Sequence, residues 1–168
     1  MISISYYNCP LGKLLIKAEN DALKGIWFCG QQHFPNELML AMATNENTVI
    51  ITQAHQWLDD YFSGKRPDIS RLRLAPEGSA FRRDVWDILV HIPYGCSLSY
   101  GQIARELERK YGRRMSAQAV GSAVGHNPIS IVIPCHRVLG AGGKLGGYAG
   151  GIERKTALLL HEGIAFTI

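Results

Sequence analysis

The sequence predicts two domains in series: an α/β domain over residues 1–78 and a mainly helical domain of winged helix-turn-helix type over residues 79–168. Three observations carry this. The apolar period changes from strand-like to helical spacing along the chain. A proline-bearing connector, GKRPDISRLRLAPEG from Gly64 to Gly78, interrupts the pattern. The charge also divides there: residues 1–77 hold 7 basic and 8 acidic side chains, whereas residues 78–168 hold 11 and 6.

The first half opens with two β-rich stretches, ISISYYN and KLLIKA, separated by the turn-like CysProLeuGly at 9–12. A third, Leu23 to Cys29, carries Ile26, Trp27 and Phe28, and together the three predict an antiparallel meander. From about Thr48 to Phe62, Ile51, Ala54, His55, Leu58 and Phe62 fall at helical spacing, and Ser63-Gly64 ends that helix.

In the second half Ser79 caps a helix carrying Phe81, Val85, Trp86, Leu89 and Ile92, and Ser99 caps a second running to about Lys110. The basic turn at 111–114 leads to a small-residue helix from Ser116 to about Gly125. IleSerIleValIle at 129–133 reads as a strand, residues 137–151 as a glycine-dense hairpin, and Ile152 to His161 as a last helix stopped by Gly163. Helix, turn, small-residue helix and β-wing make the winged helix-turn-helix outline. Ala117, Ala119, Gly121, Ser122 and Ala123 permit either close approach to another surface or tight helix–helix packing.

Composition excludes several classes. With 168 residues, 46% apolar and 19% charged, the chain is neither a disordered tail nor a fibre. Four cysteines at 9, 29, 96 and 135 are too sparse for a disulfide scaffold, and no CxxC pair is present. No apolar run reaches the roughly 20 residues of a membrane helix, and no signal-peptide pattern opens the chain. A cytoplasmic, reduced protein without a membrane partner is expected. The glycine-rich segment is no phosphate loop, because Lys144 is not followed by Ser or Thr. The net charge of +4 suits either a polyanionic partner or an unevenly solvated face.

Among the cysteines only Cys135 has reactive company, being followed by His136 and Arg137. A free thiol is mostly protonated at neutral pH, so a nucleophilic cysteine needs a base or a positive charge nearby. In an extended segment adjacent side chains diverge, so His136 is expected to reach Cys135 through a water, with a carboxylate such as Glu162 fixing its tautomer. Taken alone, a Cys-His pair equally describes a buried cysteine beside a structural histidine.

IleProCysHisArgVal (133–138), SerTyrGlyGln (99–102), AlaValGly (119–121), AsnPro (127–128), GlyGlyTyrAlaGlyGly (146–151) and HisGluGly (161–163) occur in one order across the second half. In this the chain closely resembles the 6-O-alkylguanine-DNA alkyltransferases, the methylated-DNA–protein-cysteine S-methyltransferases. The first half agrees more loosely, through ProLeuGly at 10–12 and the helix before the connector. The resemblance implies a ribonuclease H-like α/β domain followed by a winged-helix domain carrying the site.

It also implies a single-turnover reaction in DNA repair by direct reversal. The Cys135 thiolate takes a methyl or other alkyl group from 6-O-alkylguanine, and from 4-O-methylthymine, with no cofactor and no regeneration. By the same resemblance His136 deprotonates Cys135 through water, Glu162 orients His136, and Asn127 holds the network. Tyr100 helps rotate the nucleotide out and bonds the guanine ring; the backbones of Cys135, Val138 and Ala149 read the guanine edge, and Tyr148 walls the pocket. A monomer binding the minor groove of double-stranded DNA, with the alkylated base flipped, is implied.

Two positions depart from the family pattern. Gln118 stands where an arginine usually fills the gap left by the flipped base, so that Arg113 and Arg114 become candidates for extra phosphate contacts beside Gln118 and Ala119. Ala149 replaces a serine found in several members. A zinc site in the first domain is not expected, because the spacing of Cys9, Cys29 and His33 does not fit one. Two other classes remain to be separated: a winged-helix regulator or cysteine-less damage sensor, which the presence of Cys135 disfavours, and a cysteine hydrolase, which would turn over.

Overall fold

The computed structural model describes residues 1–168 and divides into two compact units, residues 1–77 with Pro128–Ser130, and residues 78–127 with 131–168.

The first unit begins with the expected meander, β1 (Ile2–Cys9), β2 (Gly12–Glu19) and β3 (Ala22–Phe28), paired antiparallel. A short helix, α1 (Glu37–Met42), and a two-residue strand, β4 (Thr44–Asn45), follow; β4 pairs parallel to β1, giving the sheet order β3-β2-β1-β4. Neither was foreseen, since six residues and two residues are too short to show a period. Helix α2 (Val49–Phe62) starts at Thr48, whose hydroxyl accepts from Ile51 N, and buries Ile51, Ala54, Trp57, Leu58 and Tyr61.

Both sheet faces are covered, because successive strand residues point to opposite sides. Ser5 and Tyr7 of β1 meet His55 and Asp59 of α2 on one face. On the other, Ile4, Leu15 and Trp27 pack with Phe34, Leu40 and Ala43. Trp27 folds back over Gly25 so closely that a Cβ there would lie 1.9 Å from the indole. The connector holds one 3-10 turn, Ile69–Arg71, and returns to β3 through Leu23 N→Arg73 O and Ala75 N→Leu23 O.

The second unit packs three helices together: α3 (Ala80–Leu89), α4 (Tyr100–Tyr111) and α5 (Ala117–Gly125). Each starts at the serine expected: Ser79, Ser99 with a capping box through Gln102, and Ser116. Trp86 is buried among them and donates from Nε1 to Ala123 O at 2.8 Å. Just before α4 lies β5 (Leu98–Ser99), and after α5 comes β6 (Val138–Leu139), which pairs parallel to it. The last helix, α6 (Ile152–Glu162), ends at Gly163 in the left-handed region, φ 72°.

Three expectations are corrected. Residues 129–133 form no strand: only Ile129 bridges, to Ile26, and Ile131 adopts φ 71°, which breaks the extended run. A β-branched residue at positive φ is strained by about 1–3 kcal/mol and persists only where its surroundings enforce it. Residues 137–151 form no hairpin, because Val138–Leu139 pairs with Leu98–Ser99 and a 3-10 turn at Ala141–Gly143 follows. Cys135–Arg137 is a 3-10 turn rather than an extended segment.

Candidate active site

Cys135 begins that turn, with Sγ 6% exposed together with the rest of its residue. Its backbone N–H donates to Ile133 O at 2.8 Å, and the Asn127 side-chain amide donates to the same carbonyl at 2.8 Å. Asn127, the third residue from the end of the α5 segment's C-cap turn, thereby anchors the loop that presents the thiol. Burial pushes the Cys135 thiol up from its ordinary value, while hydrogen bonds from Asn127 and Tyr148 and the charge of Lys155 work against that rise. At neutral pH the group is therefore a thiol that needs a base.

Behind it, His136 is wholly buried and its Nε2 lies 2.5 Å from Glu162 Oε2. Glu162 comes from the last turn of α6. Its Oε1 accepts from Arg137 Nε at 2.7 Å and from Gly95 N at 3.2 Å. Burial alone raises a carboxylic acid, but His136 and Arg137 outweigh it and hold Glu162 down to about 2. An ionised carboxylate only accepts, so Nε2 of His136 must carry the proton. The other ring nitrogen, Nδ1, is then the basic one; it is buried without a protein hydrogen-bond partner. Burial lowers the pKa of His136, so the ring is neutral and free to take a proton.

Tyr100, the first residue of α4, places its half-buried ring beside Gly121 and Gly146: a Cβ at those positions would lie 3.9 Å and 3.5 Å from it. Burial, then the neighbouring Cys135, raises its pKa, keeping a phenol proton. Tyr148 and Ala149 are half-buried and Val138 is buried. Val138 N is bound to Cys135 O and Val138 O accepts from Lys155 Nζ at 2.7 Å. The structure thus gathers Cys135, His136, Glu162, Asn127, Tyr100, Tyr148 and Val138 around one turn.

Gln118 and Ala119 lie elsewhere, exposed on the first turn of α5, and Arg113 and Arg114 are exposed in the loop before it. The Arg113 guanidinium stands 5.9 Å from the Tyr111 ring centroid. Cys9, Cys29 and Cys96 are free thiols outside this cluster. No group of three or more His, Cys, Asp or Glu side chains is placed to hold a metal ion.

Two residues went unread in the sequence. Arg137 also donates to Ile92 O at 2.6 Å and lies over the Tyr94 ring, 5.7 Å from its centroid. Its place inside the ProCysHisArgVal run was signal enough to find it. Lys155 gives no such signal, since a lysine in a helix reads as solvent-facing.

Family models described as 6-O-methylguanine DNA methyltransferase match both parts of the chain: the ribonuclease-like domain over residues 2–76 and the DNA binding domain over 80–164. The methylated-DNA–protein-cysteine methyltransferase of Methanosarcina acetivorans is 37% identical over 94% of this chain and 96% of its own. That of Mycolicibacterium paratuberculosis is 40% identical, covering 96% and 93%. Among solved structures, Mycobacterium tuberculosis OGT in complex with DNA superposes with a TM-score of 0.82 at 36% identity, over 96% of this chain and 93% of that one. No helix here is long and apolar enough to cross a membrane.

Proposed function

The chain belongs to the 6-O-methylguanine DNA methyltransferase family, and from that premise we propose that it repairs DNA by direct reversal, moving the alkyl group of 6-O-alkylguanine irreversibly onto its own Cys135. The observation that carries the assignment to this cysteine is the His136–Glu162 contact directly behind it.

The steps follow from the charges. Glu162 fixes the Nε2–H form of His136, leaving Nδ1 to accept the Cys135 proton through a water. The thiolate lone pair forms the S–C bond while the C–O bond breaks, and its electrons stay on guanine, which takes up a proton and keeps its oxygen. Tyr100, held protonated beside Cys135, is positioned to supply a hydrogen bond to the departing base. Asn127 and Tyr148 favour the developing thiolate. A thioether in a neutral pocket has no hydrolytic route, so each molecule acts once.

Reaching the alkyl carbon requires a flipped nucleotide, because a stacked base does not present it in line. The winged helix-turn-helix made by α4, α5 and the segment after Val138 suits a minor-groove approach. The exposed small-residue face of α5 supports this, with Gln118 entering the gap and Arg113 and Arg114 on phosphates. The domains divide at residue 78, the DNA partner is double-stranded, and the protein acts as a cytoplasmic monomer; 4-O-methylthymine is a second substrate.

Intact mass after incubation with a duplex containing 6-O-methylguanine tests the reading. One methyl group should appear on Cys135 and be absent in Cys135→Ala. Restored DNA with unchanged protein mass, or repeated turnover as in a hydrolase, would overturn it.

A further inference from the structure

Lys155, in the second turn of α6, is completely buried. A charged side chain so placed is expensive unless something compensates it. Its Nζ donates to Val138 O at 2.7 Å and to Gly147 O at 3.0 Å. Those carbonyls belong to the two ends of the segment between the Cys135 turn and α6, so one ammonium fastens both. An ammonium has three N–H donors, which leaves one for a further neighbour. A Cβ on Gly146 would lie 3.7 Å from Nζ and 3.6 Å from Tyr100 Oη, so the ammonium and the phenol flank the same backbone atom.

No carboxylate balances this charge. Glu162, the acidic group of the site, is already taken by His136 and Arg137. The ionisable groups facing Lys155 are Cys135 and His136 from the 3-10 turn and Tyr100 from α4. Arg137 is committed to Glu162, and α5 offers no charge. We infer that Lys155 is a positioning residue of the alkyl-acceptor pocket: it tethers the Val138–Gly147 segment and supplies the counter-charge for the Cys135 thiolate. The inference rests on Cys135 being the acceptor. Burial brings Lys155 down to about 8, with Cys135 the one charge opposing the fall, and the same pair appears from the thiol's side.

The test is the ultraviolet titration of the Cys135 thiolate, taken as the difference from Cys135→Ala, in the unsubstituted protein, Lys155→Gln and Lys155→Arg. Lys155→Gln retains a donor for the carbonyls but no charge. Its thiol should titrate at least about one pH unit higher, with methyl transfer at pH 7 about tenfold slower or more and recovering as pH rises. Lys155→Arg should restore part of both. If either variant fails to fold, reciprocity supplies the second measurement: the Lys155 ammonium, followed by nuclear magnetic resonance, should titrate lower in Cys135→Ser than in the unsubstituted protein. An unmoved thiol titration in folded Lys155→Gln, or an unmoved Lys155 in Cys135→Ser, overturns the inference. Failure of methyl transfer by the unsubstituted protein overturns the proposed function instead, and leaves the titrations to decide on Lys155.

Discussion

His136 Nε2 and Glu162 Oε2 stand 2.5 Å apart, and both side chains are sealed from solvent. The contact sets which ring nitrogen is the base. Glu162→Gln loses the charge that selects the Nε2–H form, because an amide can either donate or accept there. Methyl transfer measured by intact mass should slow about 10- to 100-fold, while the far-ultraviolet circular dichroism stays unchanged. An unaltered rate would remove Glu162 from the site.

The same pair governs acid stability. Glu162 falls from 4.5 to about 2 on folding, so the unfolded chain binds its proton first and stability is lost as pH drops through that interval. His136 is lowered from 6.5 by burial, which adds a loss in the same direction below that pH. Thermal melting of the second unit should decline from about pH 6.5 downward. In Glu162→Gln the portion below pH 4.5 should flatten, and persistence of the full decline would contradict the assignment.

Gln118 is exposed at the start of α5, where a long cation would reach further into DNA. Gln118→Arg should increase duplex affinity or transfer rate, and it should steepen the fall of affinity with salt if the new guanidinium meets a phosphate. Equal affinity, rate and salt slope would show that filling the gap does not limit this protein.

Gly25 lies beneath the Trp27 indole, with no room for a methyl group. Gly25→Ala must displace that ring from the Ile4–Leu15–Trp27 cluster and should destabilise the first unit by about 1–3 kcal/mol. Chemical denaturation measures this. The Cys135 thiol titration should not move, and a shift there would contradict the separation of the two roles.

Much of this was legible in the chain. The three serine caps and the apolar spacing of α3 and α4 fixed those helices to within a residue or two, and the run from Pro134 to Val138 pointed to the site. Residues 129–133 were misread because alternating isoleucines favour a strand, whereas left-handed Ile131 is imposed by tertiary packing. The glycine-dense segment misled for a related reason. Glycines permit many turns, and the pairing of Val138–Leu139 with Leu98–Ser99 across some forty residues has no local signature. Lys155 stayed hidden because burial of a helical lysine depends on what packs over it.

Cys135 is buried and protonated, while Cys96 lies in the open. For a catalyst that regenerates, a stray oxidation costs a fraction of its working life. For a stoichiometric reagent it is equivalent to a completed reaction, since the molecule has no second acceptor. Disulfide exchange and oxidation both proceed through accessible thiolate. Burial therefore acts as a preservative: it keeps the stock of unreacted protein fresh, and ionisation is confined to the moment when a base in the pocket calls for it.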